Sequence, residues 1–335
     1  MKAKAMLTNL AKQRSVLSAI SLPMFVSLFS PNVLAQDFPT KPIKIIVGYA
    51  PGGNVDTPTR IVGRKLAEGL KVAVVIENKP GAGGNVAADF VAKSPTDGYT
   101  LLACGASSHG ANSSLFAKLP YDPIKDLAPI AMFGISPNVL VVHPSVKAKT
   151  FAEFIALAKV DPSKTSIGSA GIGTSQHLSI ELLKSMTGIS ATHIPYKGGS
   201  SAMADVMGGQ VAAVIAGLPT AITAIRSGKV TALAVTTPKR SPLLPNVPTI
   251  AEAGVPGYNV TGWVGLCAPS GTPAPRLALL DREIRASIQS PEVQKALADI
   301  GYEPSNLSSQ ELTDFIKVEI PKWAKVIRDA GITPE

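Results

Sequence analysis

The stretch IKIIVGYAPGGNVDTPTRIVGRKLAEGL, residues 43–70, contains the pattern that decides the fold. It begins with a short, β-branched and almost entirely apolar run, which predicts a strand buried on both faces. A turn with two adjacent glycines, Gly52 and Gly53, follows. Asp56 and Pro58 then occupy positions that are typical of a helix N-terminus, and the remaining apolar residues recur at helical spacing. The stretch therefore predicts a strand, a turn and a helix of an α/β protein.

This unit is suited to binding an anion. Glycines let a ligand approach backbone N–H groups, and the N-terminus of a helix favours negative charge. The alternative is that the glycines only form a tight connection between strand and helix. No Lys-Ser or Lys-Thr pair follows them, so the pattern of a phosphate-binding P-loop is absent. The stretch alone indicates an anion site but names no reaction.

Residues 1–35 differ from the rest of the chain. They contain four basic residues and no acid, an apolar run over about residues 16–29, and small residues at Val33 and Ala35. This pattern predicts a secretory signal peptide cleaved near Ala35, and the apolar run is too short for a stable membrane span. We therefore expect a mature protein that begins near Gln36 and is soluble outside the cytoplasm.

The charge of the mature chain is modest. Removing the four basic residues of the leader from the 32 in the sequence leaves 28 against 23 acidic residues, a net charge of +5. The basic residues are scattered, whereas a nucleic-acid-binding protein concentrates them on one face. We therefore expect no nucleic-acid partner.

The two cysteines, Cys104 and Cys267, are too few for a disulfide scaffold. Both lie in apolar, strand-like runs, so buried free thiols are the simplest interpretation. An oxidising compartment would also permit one bridge between them, and the sequence does not show whether they meet.

Strand-like and helical runs alternate along the mature chain, which predicts parallel sheets built from βα units. Three early strands each end in a loop of small residues, and in a parallel sheet such loops gather at one edge, where ligands bind. A strand that begins at Val139 opens a second, similar series. We predict two lobes, residues 36–136 with 264–335 and residues 137–263, with a cleft and a hinge between them.

Several motifs in this order resemble the substrate-binding receptors of tripartite tricarboxylate transporters, the Bug family. The resemblance covers nearly the whole mature chain. The motifs that carry it are FPTKPI (38–43), PGG with Asp56 (51–56), ENKPGAGG (77–84), DGYTLL (97–102), PYKG (195–198), PTIAEAG (248–254), GW (262–263) and APSGTP (268–273).

The resemblance implies a type II periplasmic-binding-protein fold, an α/β fold of two lobes with a central ligand cleft and a hinge. It implies a periplasmic receptor that captures a small carboxylate for membrane permease subunits and performs no chemistry on it. It implies no cofactor and no metal, and we expect a monomer. The sequence does not identify the carboxylate or show that a cognate permease exists.

The resemblance also places the ligand site. In the first lobe it assigns three loops, and in the second lobe it assigns two turns. The residues implied to bind the ligand are Gly52, Gly53, Asn54, Gly83, Gly84, Ser107, Ser108, Ser169, Ala170, Gly171, Thr174, Tyr196 and Lys197.

An enzyme that uses the same cleft, a secreted hydrolase or lyase, is the alternative. His177 lies four residues before Glu181, but neither an HExxH motif nor a cysteine–histidine spacing accompanies it. Ser169 is one residue short of nucleophile-elbow spacing. Trp263 could stack on a ligand or pack in the core, and Lys197 could pair with a carboxylate or face solvent. An orphan sensor that feeds no permease is a further alternative.

Overall fold

Short apolar runs form the strands of this protein. The computed structural model describes residues 38–329 and 331–332, so the predicted signal peptide and its cleavage site at Ala35 lie outside the described residues. Within these residues the strands are β1 (Ile43–Val47), β2 (Val74–Asn78), β3 (Thr100–Gly105), β4 (Leu127–Val142), β5 (Ile167–Ser169), β6 (His193–Pro195), β7 (Ala213–Gly217), β8 (Thr231–Val235), β9 (Thr261–Pro269) and β10 (Glu303–Pro304).

Helices follow most of the strands, as the alternating pattern predicts. The described residues form α1 (Asp56–Leu70), α2 (Asn85–Ala92), α3 (Asn112–Leu115), α4 (Phe151–Val160), α5 (Ser175–Thr187), α6 (Gly199–Met207), α7 (Leu218–Arg226), α8 (Ala274–Gln289), α9 (Pro291–Asp299) and α10 (Ser309–Asp329). Among residues 38–329 and 331–332, no helix combines the length and the apolar character that crossing a membrane requires.

The first group of paired strands, here called the first sheet, has the order β2-β1-β3-β9-β4. β1 is parallel to both β2 and β3, whereas β9 is antiparallel to β3 and to β4. The loops that follow β1, β2 and β3 therefore lie at one edge of this sheet.

The second group, here called the second sheet, contains the last part of β4 with β7, β5, β6 and β8. β5 is parallel to β6 and to β7, and β4 is antiparallel to β7. The loops that follow β5 and β6 thus also share one edge.

The long strand β4 belongs to both sheets. Leu127 to Pro137 pairs with β9, and Asn138 to Val142 pairs with β7 and β8. The sequence predicted a strand only from Val139, because Pro129 and Pro137 are poor strand residues. Two register shifts in the pairing with β9 accommodate the irregular part. The predicted lobe boundaries fall inside β4 and β9, and the division into lobes stays a prediction.

Helices cover both faces of the first sheet. Val62 and Leu66 of α1 are fully buried and belong to the same apolar cluster as Ile45 of β1 and Leu280 of α8. Ile316 of α10 belongs to a cluster on the opposite face. Burying side chains of this size stabilises the fold by about 1.5–3 kcal/mol each. Because helices cover both faces of this sheet, its accessible part is the edge formed by the strand ends and the loops that follow them.

The interpretation of the cysteines as free thiols is wrong, because Cys104 and Cys267 form a disulfide. Cys104 lies on β3 and Cys267 on β9, and the antiparallel pairing of these strands brings their Cα atoms to 6.0 Å. The two residues are 163 positions apart in the sequence, so neither local pattern could reveal the contact.

A buried histidine lies against this disulfide. His109 is fully buried, its Nε2 lies 3.4 Å from Cys267 Sγ, and its Nδ1 lies 3.0 Å from Ser108 Oγ. Burial lowers the pKa of His109 to about 3. The folded protein therefore keeps this imidazole neutral at pH values where an unfolded chain would protonate it.

We expect the stability of the protein to fall as the pH is lowered from about 6.5 towards 3. In this range the unfolded chain binds a proton at His109 and the folded chain does not, so His109 contributes a slope of about 1.4 kcal/mol per pH unit. The substitution His109→Gln should remove this part of the slope. Urea unfolding at several pH values between 4 and 8 measures it.

The comparison at pH 8 serves as the control, because the histidine is neutral there in both the folded and the unfolded state. The difference in the free energy of unfolding between the unsubstituted protein and the His109→Gln variant at pH 8 is therefore the packing cost of the substitution alone. Stability curves that stay parallel down to pH 4 would contradict the expectation.

Candidate functional site

Loops from both sheets enclose one small chamber. The loops after β1 and β3 meet the loops after β5 and β6 around a volume of about 40 Å³, which is room for a few water molecules, since one needs roughly 10–15 Å³. We call this space the inner chamber. It is lined by Tyr49, Gly53, Asn54, Val55, Gly105, Ala106, Ser107, Ala170, Thr174, Ser175, Gln176, Gly199, Gly262 and Trp263.

A larger cavity of about 250 Å³ adjoins the inner chamber, and both are lined by Tyr49 and Ala170. We call it the mouth cavity. Its walls also come from loops of both sheets. The residues that line it are Gly48, Tyr49, Gly81, Ala82, Gly83, Phe116, Ala170, Gly171, Ile172, Pro195, Tyr196 and Lys197.

Nine of the thirteen residues that the sequence indicated line one of these two cavities. Those in the inner chamber are Gly53, Asn54, Ser107, Ala170 and Thr174. Those found only in the mouth cavity are Gly83, Gly171, Tyr196 and Lys197.

Two of the other residues, Gly52 and Gly84, support the loops and line neither cavity. The N–H of Gly52 donates a hydrogen bond to Asp56 Oδ2 at 2.8 Å. Gly84 packs against Tyr49, so closely that an added Cβ would lie 2.9 Å from the phenolic oxygen. Contact of either glycine with a ligand stays a prediction.

The remaining two, Ser108 and Ser169, bond within their own surroundings. Ser108 Oγ lies against His109, as described above. Ser169 Oγ lies 2.7 Å from His193 Nε2 and accepts a hydrogen bond from the N–H of Gly171 at 3.1 Å. Both serines hold their loops in shape, and a direct ligand contact stays a prediction for them.

The sequence did not single out several residues that line the inner chamber. Tyr49 comes directly before the predicted glycine turn, and Ser175 and Gln176 come directly after the predicted residue Thr174. Their position next to predicted site loops is the feature of the sequence that indicates a role in the site. Gly262 entered only as part of a family motif, without a role in the site.

The inner chamber offers neutral donors. Among the described residues that line it, none has a charged side chain, and its polar groups are hydroxyls, amides, a phenol, an indole and backbone N–H groups. α5 begins at the chamber, where Thr174 Oγ1 accepts a hydrogen bond from the N–H of His177 at 3.2 Å and donates one to Gly171 O at 2.6 Å. A helix N-terminus of this kind favours an anion by roughly 0.3–2 kcal/mol.

Hydrogen bonds from β4 fix the side chains of the first turn of α5. Asn138 Nδ2 donates to Ser175 Oγ at 3.3 Å, and Gln176 Nε2 donates to Asn138 Oδ1 at 2.9 Å. Asn138 is fully buried and lies where β4 passes from the first sheet to the second. The strand that joins the sheets therefore also orients the site.

The side chain and the backbone of Asn54 are also anchored. Ser136 Oγ donates to Asn54 Oδ1 at 3.1 Å, and the hydroxyl of Tyr302 donates to the carbonyl of Asn54 at 2.6 Å. The first loop is thereby held by β4 and by the segment before β10.

Asp56 organises the loop that carries Gly53 and Asn54. Its carboxylate accepts two hydrogen bonds from Arg60 and one from Asn78, each at 2.9 Å, as well as the bond from Gly52. Burial alone would raise the pKa of Asp56, but these hydrogen bonds, with the charge of Arg60, hold it below its usual value. The charged carboxylate occupies the N-terminus of α1, so this helix end is already neutralised without a ligand.

Tyr49 lines both the inner chamber and the mouth cavity. Its hydroxyl donates to the carbonyl of Gly83 at 2.8 Å. Burial raises the pKa of Tyr49 to about 12, so the phenol is neutral and keeps its proton at physiological pH.

Loops of the two sheets touch each other at the rim of the cleft. The N–H of Ala50 donates to the carbonyl of Lys197 at 3.2 Å, and Ser200 Oγ donates to the carbonyl of Pro51 at 3.0 Å. Gly83 lies so close to Ile172 that a Cβ would meet its carbonyl oxygen. The cleft is closed in this structure.

His177 and His193 do not form a metal site as they are arranged. Their rings stack with centroids 4.5 Å apart and planes 23° apart, near Glu181. An imidazole binds a metal in the plane of its ring, so two stacked rings cannot both direct a nitrogen at one ion. His177 Nδ1 also accepts a hydrogen bond from the N–H of Gly173 at 3.3 Å. The pair instead packs beneath the loop that follows β5.

Comparison with known proteins connects this site to a family. The family described as "Tripartite tricarboxylate transporter family receptor" matches residues 59–332. Protein BugT of Bordetella pertussis is 37% identical over 317 residues, which cover 94% of this chain and 97% of that protein.

Solved structures match the fold over most of the described chain. An R. palustris protein with adipate has a TM-score of 0.87, 37% identity, and coverage of 89% of this chain and 100% of that one. The periplasmic binding protein BugD has a TM-score of 0.86, 32% identity and coverage of 89% and 100%. MatC from Rhodopseudomonas palustris with bound malate has a TM-score of 0.83, 33% identity and coverage of 87% and 100%. These matches confirm the predicted α/β periplasmic-binding-protein fold.

Proposed function

Because this chain belongs to the family of tripartite tricarboxylate transporter receptors, we propose that it captures a small carboxylate in the periplasm and releases it unchanged to membrane permease subunits. The observation that carries this proposal is the inner chamber, where neutral donors from both sheets surround one enclosed space. Carboxylates in two related structures, adipate and malate, support the choice of ligand class.

The residues of the inner chamber hold the carboxylate group in this proposal. Backbone N–H groups at the start of α5 and the hydroxyl of Ser107 are suitable donors. Several such donors in a closed site can reach a micromolar dissociation constant, about −8 kcal/mol. A receptor that must release its cargo is served by donors that carry no full charge.

The proposed binding cycle uses two lobes, residues 36–136 with 264–335 and residues 137–263, which open and close about β4 and β9. The change of sheet between Pro137 and Asn138 supports this division. The contacts at the rim support closure as the ligand-retaining state. Release then requires the hydrogen bonds that Ala50 and Ser200 donate across the rim to break.

Export of the protein is also part of the proposal. The disulfide between Cys104 and Cys267 suits an oxidising compartment such as the periplasm. The signal peptide, residues 1–35, would direct the chain there.

A ligand screen tests this function. We expect mono-, di- and tricarboxylates, added one at a time to residues 36–335, to include at least one that raises the free energy of unfolding by about 2.7 kcal/mol at 100 times its Kd. Thermal shift identifies the compounds, titration calorimetry gives Kd, and NMR of the mixture detects any change in the ligand. Turnover of the stabilising compound would replace the receptor proposal with the enzyme alternative, and no binding by any acid would end it.

Gly262→Ala serves as a blocked variant in the same screen. A Cβ at this position would lie 3.4 Å from Asn54 Nδ2 and Ser175 Oγ, in ordinary contact, so the methyl group fills chamber space without a clash. We expect at least a tenfold loss of affinity for the compound found. Gly208→Ala, at the end of α6 and lining neither cavity, is the matched control and should bind normally.

A further inference from the structure

Three side chains with metal-binding atoms converge between β3 and β9. They are Cys104, Cys267 and His109, and their two Sγ atoms and one imidazole nitrogen all lie within 4.8 Å of one another. Each of the three residues is fully buried. Thiolates and imidazoles are the ligands that zinc prefers in proteins. The disulfide engages both sulfur atoms in this structure, so the three side chains become a set of ligands only when that bond is reduced.

The imidazole of His109 is oriented towards the sulfur atoms. Its Nδ1 lies 3.0 Å from Ser108 Oγ, and its Nε2 lies 3.4 Å from Cys267 Sγ. Ser108 Oγ accepts from the N–H of Gly105 at 3.2 Å and donates to the carbonyl of Gly105, so it is free to accept from Nδ1–H as well. The neutral imidazole then carries its lone pair on Nε2. A disulfide sulfur has no proton to donate, so this buried lone pair faces Cys267 without a hydrogen bond.

The distances suit an ion of the size of zinc. Zinc binds thiolate at about 2.3 Å and imidazole at about 2.0–2.1 Å, which places the sulfur and nitrogen atoms of a tetrahedral shell about 3.6 Å apart. The 3.4 Å between Nε2 and Cys267 Sγ is close to that value. Two thiolates of such a shell lie about 3.8 Å apart. Once the disulfide is broken, rotation of each side chain about its Cα–Cβ bond can bring the two sulfur atoms to this separation.

The surroundings indicate the charge of the ion. Cys104 and Cys267 belong to a buried cluster of apolar side chains, which includes Met132 and Trp263. Two thiolates and a neutral imidazole carry a net charge of −2, which a divalent ion neutralises. A monovalent ion such as Cu⁺ would leave a negative charge buried among apolar groups, which costs free energy. The three ligands are therefore suited to a divalent ion that binds sulfur.

We propose that Cys104, Cys267 and His109 form a redox-controlled site for Zn²⁺ or a similar divalent ion. A dithiol reduces the bridge by giving it two electrons and two protons, and itself becomes a disulfide. The ion then binds both thiolates and His109 Nε2 and displaces one proton from each thiol. Reoxidation by a protein disulfide takes two electrons from the thiolates, re-forms the bridge and expels the ion. The bridge and the ion thus occupy the same place in turn.

Either link holds the same loop of the candidate site. Cys104 lies at the end of β3, and the next three residues, Gly105, Ala106 and Ser107, line the inner chamber. An ion between β3 and β9 would restrain the start of this loop in the reduced protein, as the disulfide does in the oxidised protein. The inference does not depend on which ligand the chamber binds.

The test measures metal binding by the folded protein in its two redox states. A phosphine and water convert the disulfide into two thiols and leave phosphine oxide, and gel filtration under nitrogen removes the reagents. Cd²⁺ is the first probe, because its bonds to thiolates give an ultraviolet charge-transfer band. Competition with a chelating indicator then gives the Kd for Zn²⁺. We expect the reduced protein to bind one ion with a Kd roughly a hundredfold or more below that of the oxidised protein, and equal affinities would overturn the proposal.

The variant His109→Gln tests the third ligand. Loss of a residue that only supports a metal ligand weakens binding by about 10–100-fold, so loss of the imidazole should weaken Zn²⁺ binding by the reduced protein at least tenfold. His143→Gln is the matched control, because His143 lies in the turn after β4 and bonds to Ser145. It should bind Zn²⁺ as the unsubstituted protein does. Unchanged affinity in reduced His109→Gln would overturn the assignment of His109.

Circular dichroism and a titration in urea separate the folded site from binding by an unfolded chain. The two cysteines are 163 positions apart, so the reduced chain in urea should bind Zn²⁺ at least tenfold more weakly than the folded protein. Equal affinity in urea would show that folding does not build the site. If reduction alone unfolds the protein, Zn²⁺ should restore the circular dichroism of the folded state, and failure to restore it would also overturn the proposal.

Discussion

Reduction of the disulfide between Cys104 and Cys267 should lower the free energy of unfolding by about 5 kcal/mol, because the bridge closes a loop of 163 residues and the chain-entropy model gives that value for a loop of this length. The loop contains β4 to β8, which includes the whole second sheet. Once the bond is broken, the unfolded chain gains conformational entropy. The folded chain does not, because the pairing of β3 and β9 still holds the two strands together. Urea unfolding with and without a phosphine reductant measures the difference.

The variants Cys104→Ala and Cys104→Ala/Cys267→Ala control this experiment. Both lack the bridge, so the free energy of unfolding of each should be close to that of the reduced protein, apart from the small packing cost of the missing sulfur atoms. The reductant should have no further effect on either variant. A loss below about 1 kcal/mol on reduction would show that the bridge does not restrain the unfolded chain, as the loop-entropy argument requires.

Replacing Asp56 with alanine should cost about 3 kcal/mol of stability and abolish ligand binding. The side chain of Asp56 is 2% exposed, and its removal leaves the donors of Arg60, Asn78 and Gly52 without their acceptor. Breaking a buried ion pair costs about 3–5 kcal/mol, and we place this case at the low end because Arg60 is 46% exposed and can be solvated. Urea unfolding and calorimetry with the identified acid measure the two effects.

Binding is lost in this variant because the loop from Ala50 to Asn54 loses its internal anchor. A matched control lies on the same helix, where Glu68 forms an exposed ion pair with Lys65. Glu68→Ala should change stability by less than about 0.5 kcal/mol and leave binding intact. Unimpaired binding by Asp56→Ala would show that the loop keeps its shape without the carboxylate.

Local patterns predicted the units of the fold well. Thr150 and Glu153 have the spacing of a capping box, which is a local sequence pattern, and they form one at the start of α4. Thr150 Oγ1 accepts from the N–H of Glu153, and Glu153 Oε2 accepts from the N–H of Thr150. The predicted strand and helix over residues 43–70 are β1 and α1. These features depend on residues a few positions apart, so the sequence displays them directly.

Features that join segments distant in the sequence could not be predicted from local patterns. β4 was predicted only in its last part, because its first part contains prolines and is a strand through its pairing with β9. The disulfide joins residues 163 positions apart, and the pairing of β3 with β9 brings them together, so the sequence alone does not show it. Asn138 orients two residues of the site that lie 37 and 38 positions away along the chain, so no local pattern marks its role.

The sequence by itself determined the alternation of strands and helices, the glycine-rich turns and the family, because each of these depends on residue type and spacing along the chain. Only the tertiary structure decided which loops share a space, that Tyr49 and Ala170 line both the inner chamber and the mouth cavity, and that Lys197 lines the mouth cavity. The physical reason is that a site made by packing two sheets depends on distances between residues that are more than a hundred positions apart. No local pattern of side chains encodes such distances.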